Sequence, residues 1–384
     1  MPMTTAVARR VLVVQRRLTH YRVPFFEILR ADLRSAGLEL CLAHGEPTAQ
    51  EATKRDSGEL AWAERLPTRY GLDGRVCWQP FGHLARDAAV TVITAENKLL
   101  CNLGEQFLAT GRRVMLWGHG ANLQGDKESL RERFKARVAL RADWWLAYTD
   151  MSRDLVRALG FPAERITVLD NSVDTTEMRA QFEAVTPAAQ AQLRTELGLG
   201  GGPVGLFLGS LYFEKRIDFL LEAAHAIRER VPGFELLVMG TGPQQDLVKA
   251  FAAQAPWVKV LGLRKGPDKA LAASLADVMI NPGLVGLNIL DSFAGGLPML
   301  TTDCGLHSPE IAYLKPGVNG VMTANTLQAY VDACVALLQD EPGRQAMRAA
   351  CLADAAHYTL EHMSRQFTQG VVGALAAPIR RGAR

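Results

Sequence analysis

The sequence has little that would mark a disulfide scaffold, a metalloprotein or a membrane-spanning chain. Its six cysteines, at 41, 77, 101, 304, 334 and 351, are scattered over 384 residues. None forms a C-x-x-C pair and no metal-ligand cluster is visible, so buried free thiols in a reducing compartment are the simplest reading. An Asp-x-Asp sequence of the metal-binding sort is also missing. Long apolar runs are lacking: Val11–Val14 stops at Gln15-Arg16-Arg17, too short for a signal-peptide core or a membrane span. The expectation is a cytoplasmic protein without a transmembrane helix. Charge of one sign is lacking too. With 43 Lys and Arg against 40 Asp and Glu, the net charge of +3 predicts no strong nucleic-acid affinity by itself.

What is present is the balance of an ordinary globular protein, 48% apolar and 22% charged, long enough for two full cores. Short apolar, β-branched runs alternate with helical spacing. Val11–Val14, Leu38–Leu42, Ala89–Ile93, Arg113–Trp117, Trp145–Tyr148 and Ile166–Leu169 read as strands, with helices such as 24–33 and 152–159 between them. Thr186 to Gly202, with Pro187, a short helical stretch and the glycines of Gly198–Gly202, then reads as an interdomain linker. A second series follows, with strands Val204–Leu208, Glu235–Met239, Val258–Leu261, Val278–Ile280 and Pro298–Thr301. The expected fold is α/β: two doubly wound domains, 1–185 and 186–356, with a C-terminal helix at about 357–375 completing the first. Ligands of open parallel sheets bind at the carboxyl ends of the strands, so two such domains would face each other across a cleft.

The candidate motifs lie on loops after those strands. Gly209 to Arg216 joins a strand to an amphipathic helix, where backbone N–H groups and the Lys215 point charge suit a diphosphate; a plain loop with solvated charges is the bland alternative. Met239-Gly240-Thr241-Gly242-Pro243 supplies glycines for close backbone approach to a ligand, or for a tight turn. Asn281 to Pro298 places backbone donors at Leu287, Asn288 and Ile289 and a carboxylate, Asp291, inside the next helix. There Asp291 could accept hydrogen bonds from ribose hydroxyls or simply cap the helix. In the first half, His119 stands between Gly118 and Gly120 after a strand, exposed to whatever enters the cleft. His20 and Arg22 could bind an acceptor hydroxyl or phosphate. Lys127–Arg141 carries Arg133, Arg137 and Arg141 four residues apart beside an apolar stripe. It reads either as a surface helix or as a face lying on an anionic membrane.

In order and spacing, these segments resemble the GT-B retaining glycosyltransferases of the family 4 type. Gly209, Leu211, Glu214 and Lys215 match the first motif, and Gly240, Gly242 and Pro243 the second. Pro282, Gly286, Leu287, Ala294, Gly296 and Pro298 match the third, and Pro309, Glu310, Gly317, Asn319 and Gly320 the last. Gly118-His119-Gly120 and Asn171-Ser172-Val173-Asp174 resemble the landmarks of the first domain, and Tyr358 to Phe367 the last helix. Two departures stand out. The family's paired glutamates are Gly283 and Asp291 here, and its arginine is Ser210, with Arg216 nearby as a substitute cation.

The resemblance implies transfer of a sugar from a UDP- or GDP-linked donor to a glycan or lipid-linked acceptor, with retention, in surface polysaccharide assembly. The donor is a substrate, and neither a cofactor nor a metal is implied. His119, Lys215 and Glu310 would serve catalysis. Gly209, Lys215, Arg216, Gly240, Gly242, Leu287–Ile289 and Asp291 would hold the nucleotide, and His20 and Arg22 the acceptor. The domains would close on the donor, bringing His119 to it, through rotation at Gly198–Gly202. The alternative is a non-catalytic nucleotide-sugar or glycan-binding protein of the same fold. Peripheral contact with the inner face of a membrane would follow from the second reading of Lys127–Arg141.

Overall fold

The computed structural model describes residues 9–52, 56–108, 111–120 and 136–380. It divides into two compact units, Met1–Val173 with Leu360–Arg384, and Asp174–Thr359. The strands are numbered in chain order. In the first unit they are β1 (Arg9–Gln15), β2 (Leu38–His44), β3 (Glu64–Arg65), β4 (Arg69–Gly71), β5 (Val76–Trp78), β6 (Val90–Thr94), β7 (Arg113–Gly118), β8 (Trp144–Ala147) and β9 (Ile166–Val168). In the second they are β10 (Val204–Leu208), β11 (Glu235–Met239), β12 (Val258–Gly262), β13 (Val278–Ile280), β14 (Met299–Thr302) and β15 (Gly320–Thr323).

The first unit holds a parallel sheet in the order β3-β2-β1-β6-β7-β8-β9, plus the antiparallel pair β4–β5. The interior strand β1, paired with β2 and β6, explains its own sequence. Val11 and Val13 enter the core on one face with Phe25, Phe26 and Trp117, while Leu12 and Val14 enter the core on the other with Trp145 and Phe161. Both faces are covered, so the strand is apolar throughout rather than alternating. The C-terminal helix Leu360–Ala376 belongs to this unit, where Phe367 packs its ring 5.9 Å from Phe25 and 5.3 Å from Trp117.

The second unit has the order β12-β11-β10-β13-β14-β15, all parallel, the order shared by dinucleotide-binding sheets. It starts earlier than the expected break after residue 185. The helix Thr175–Glu183, capped by the Asp174 side chain, packs on the helices Gly266–Ala273, Asn288–Ala294 and Glu341–His357. Phe182 explains the docking: its ring lies where a Cβ on Gly295 would stand, 2.8 Å away. The glycines that read as a linker in the sequence lie inside the second unit. Gly200 N–H donates to Glu235 Oε2 at 2.8 Å, and a Cβ on Gly202 would lie 2.1 Å from Gly233 O. The stretch is a docked lead-in to β10, and rotation at Gly198–Gly202 has no place here. The chain passes between the units at 173–174 and again at 359–360.

Lys127–Arg141 lies outside the described residues except for its last turn. There Val138 is buried and the Arg141 guanidinium stacks 4.2 Å from the Phe107 ring centroid. Among the described residues no helix is long and apolar enough to cross a membrane.

Candidate functional site

In the second unit β10 lies between β11 and β13, so the loops after β10 and β13 leave the sheet in diverging directions and open a crevice. Three loops build its floor through their backbones. Gly209 N–H donates to Met239 O at 3.0 Å, Leu211 N–H to Thr241 O at 2.9 Å, and Leu284 N–H to Glu214 O at 2.8 Å. These contacts account for the glycines. Gly240 has φ 148°, and a Cβ there would stand 1.8 Å from Gly209 O; at Gly242 it would stand 2.5 Å from Leu211 O. The close approach these glycines permit is therefore to the neighbouring loop. Gly283 follows the same logic. A Cβ there would lie 2.4 Å from the Lys215 carbonyl carbon, so no glutamate fits at this position.

Lys215 ends the loop after β10. Only 4% of it is exposed, and its Nζ donates to Leu284 O at 2.6 Å. Burial pushes its ammonium down from 10.5 to about 8. Among the described residues no carboxylate pairs with it. A buried cation without a counterion is costly, and an arriving anion relieves that cost. Beside it, burial alone would raise the Cys304 thiol, but His307, the Leu306 backbone and Arg216 bring it below its ordinary value.

Arg216 turns elsewhere. Its φ of 55° directs the guanidinium to Thr302 Oγ1 at 3.1 Å and to Asn325 Oδ1, with Phe219 4.2 Å beneath it. The loop after β13 is also tied down. Asn288 Oδ1 accepts from Gly286 N–H at 3.0 Å, its Nδ2 donates to Leu208 O at 3.3 Å, and Ile289 N–H donates to Gly286 O at 3.1 Å. Leu287 precedes this helix as its N-cap. Asp291 accepts from Lys269 Nζ at 2.6 Å, both side chains being 20% exposed.

Sequence reasoning missed His307. Its Nδ1 accepts from Val285 N–H at 3.1 Å and its Nε2 lies 2.7 Å from Thr302 O, a pattern that makes Nε2 the protonated nitrogen of a neutral ring. It fastens the loop after β13 to β14, and Ser308 N–H adds a bond to Val285 O at 2.9 Å. Its only signal in the sequence is its place next to Pro309-Glu310. Glu310 itself is buried, on the helical turn Pro309–Tyr313. Asn319 is a fastener as well: it accepts from Lys315 N–H at 2.7 Å and donates to Tyr313 O at 2.9 Å and Asp354 Oδ2 at 2.7 Å.

In the first unit His119 follows β7, exposed, its ring 4.5 Å from that of Tyr148 after β8. Gly120 has φ 86°, and a Cβ there would meet Ser152 O at 2.6 Å, so the turn that presents His119 requires glycine. His20 is exposed after β1, its Nδ1 3.1 Å from Asp56 O. Arg22 points inward: it is buried, donates to Asn171 Oδ1 at 2.6 Å, and lies 5.4 Å from the Trp117 ring centroid. Arg16 and Arg17 are matched by carboxylates, Arg16 with Glu51 at 2.6 Å and Arg17 with Asp56 at 2.6 Å.

A protein-family model described as Glycosyl transferases group 1 matches residues 202–340, the core of the second unit. The chain is 26% identical to the D-inositol 3-phosphate glycosyltransferase of Nocardia farcinica over 369 residues, 92% of this chain and 74% of that protein. It is 27% identical over 256 residues to a GDP-mannose-dependent alpha-(1-6)-phosphatidylinositol monomannoside mannosyltransferase of Mycobacterium tuberculosis, covering 63% of this chain and 65% of that one. Among solved structures, HepE of Anabaena in complex with UDP superposes with a TM-score of 0.69 at 15% identity, over 95% of this chain and 99% of that one.

Proposed function

We propose, from the premise that this chain is a GT-B glycosyltransferase of the family 4 type, that it moves a sugar from a UDP- or GDP-linked donor with retention at the anomeric carbon. The acceptor is a hydroxyl of a glycan or lipid-linked glycan, in surface polysaccharide assembly. The carrying observation is Lys215, a buried ammonium at the carboxyl end of β10 with which no carboxylate pairs among the described residues. A donor diphosphate supplies the missing counterion. The relatives support the donor class: one is named for GDP-mannose, and one structural neighbour holds UDP.

In this reading the acceptor oxygen attacks the face of the sugar from which the diphosphate departs. The leaving diphosphate takes the acceptor proton, and the growing negative charge is met by Lys215 and by backbone donors near Leu287 and Asn288. Asp291 accepts from the ribose hydroxyls. His119, in the first unit, is the candidate for acting on the reacting sugar, Glu310, in the second, for the sugar or diphosphate, and His20 for the acceptor. Arg22 supports the loop carrying His20 through its bond to Asn171 rather than reaching outward.

A thermal-shift screen of nucleoside diphosphates and their sugars tests the donor class, since a ligand that binds the native state raises its midpoint by mass action. The expected result is stabilisation by a uridine or guanosine diphosphate and sugar release from the matching donor. If no nucleoside diphosphate shifts the midpoint at millimolar concentration, the donor reading is wrong.

A further inference from the structure

We infer that Lys269 is a positioning residue for Asp291, and that the pair discriminates ribose from deoxyribose in the donor nucleotide. The inference rests on the reading of Asp291 as the ribose-binding carboxylate and adds the residue that aims it. Lys269 and Asp291 lie on different helices, Gly266–Ala273 and Asn288–Ala294, so their contact is no neighbour effect within one turn. The Nζ–Oδ1 distance is 2.6 Å, and each side chain is 20% exposed. A charge-assisted bond so placed is stronger and better defined than an exposed surface pair.

The ammonium is confined from a second side. Met178 Sδ, on the helix Thr175–Glu183, lies 3.5 Å from Nζ, and that helix packs on both of the others. The thioether is a weak, polarizable acceptor, so it holds one side of the ammonium without displacing the carboxylate. Other acids on these elements are placed differently: Asp268 is exposed, and Glu177 accepts from Gln181 at 2.8 Å.

Aspartate at 291 has one methylene less than glutamate, so its carboxylate reaches less far from the helix. Its usefulness to a ligand then depends on its plane being fixed. A carboxylate offers about four lone-pair sites on two oxygens. Lys269 occupies one site on Oδ1 and sets the orientation of the rest. A lysine tying two helices together without touching ligand recognition would predict the same bond, so the test must read the ribose.

The probes are UDP and GDP, each with its 2′-deoxy counterpart, titrated by calorimetry into the wild-type chain and the variants K269M, K269R, D291N and K269M/D291N. Whichever base binds the wild type more tightly is carried forward. The wild type is expected to prefer ribose over deoxyribose by about tenfold, the scale of one charge-assisted hydrogen bond. K269M should lose most of that preference by weakening ribose binding alone, K269R should restore part of it, and the double variant should bind like D291N. An equal loss on ribose and deoxyribose, or an unchanged preference, overturns the inference if D291N abolishes the preference. If D291N retains the preference, the reading of Asp291 itself fails and the inference falls with it. Should K269M lower the unfolding midpoint, K269Q is judged by the same ratio.

Discussion

The loops after β1 and after β10 both carry cations at the carboxyl end of a parallel sheet, and they treat them in opposite ways. After β1 two guanidinium groups are matched by carboxylates, Arg16 by Glu51 and Arg17 by Asp56, while the buried Arg22 donates to the neutral Asn171 amide. The match is tight enough that the Arg16 hydrogen bond draws the Glu51 carboxyl down to about 2. After β10, Lys215 is more deeply buried; its Nζ donates to the Leu284 carbonyl and lies 6.0 Å from the Tyr212 ring centroid, and among the described residues no carboxylate pairs with it. Charges matched within the protein hold long loops in place. A buried charge left unmatched lowers stability, a cost that an anion arriving from outside relieves.

The largest expected effect restores the residue that the family resemblance supplies at 283. Gly283→Glu should destabilise the second unit by about 3 kcal/mol or more, because its Cβ cannot coexist with the Lys215 backbone. Denaturant unfolding checks this, and a variant of wild-type stability would mean that the loops after β10 and β13 are not joined as described. His119→Ala comes next. Transfer should fall by ~10²-fold, the scale of a positioned catalytic group, while nucleoside diphosphate affinity stays within about twofold, since the proposed nucleotide site belongs to the other unit. A variant that transfers at the wild-type rate would make His119 part of the turn and nothing more. The smallest effect sharpens the contrast between the loops. Arg16→Met should cost about 1–2 kcal/mol of stability by leaving the partly buried Glu51 with only the longer Arg17 contact, 3.8 Å, and its Thr48 hydrogen bonds, a figure reduced for solvent screening. It should leave nucleotide affinity unchanged, and a changed Kd would break the division of labour drawn here.

Much of the fold was legible because its signals are local. Val11–Val14 and Val204–Leu208 read as strands, and they are interior strands of the two sheets, each paired on both sides. The helix Thr175–Glu183 was assigned to the wrong unit because its partners lie far along the chain, in Gly266–Ala273 and beyond. Glycines 198–202 looked like a hinge because composition cannot reveal that Gly202 is docked on Gly233. At the site, loop positions and glycines were readable while side-chain partners were not. The orientation of Arg22, the fastening by His307 and the pairing of Lys269 with Asp291 all depend on contacts distant in sequence. Motif spacing carries the family's shared geometry, whereas departures such as Gly283 show their reason only where a neighbouring backbone occupies the space.

Lys215→Met tests the central contrast most directly, read as unfolding free energy and nucleoside diphosphate affinity on the same protein at pH 7. Burial lowers the ammonium from 10.5 to about 8, so the full penalty is present below pH 8 and fades as pH rises toward 10.5. Removing the charge at pH 7 should therefore stabilise the fold by ~1–3 kcal/mol, a gain that shrinks at pH 10. The same change should weaken nucleoside diphosphate binding by ~10–100-fold, the loss of a charge-assisted contact. A variant that is more stable and binds poorly is the predicted result. A variant that is less stable and binds as well as the wild type would show that Lys215 holds the loop together and that the diphosphate is met elsewhere.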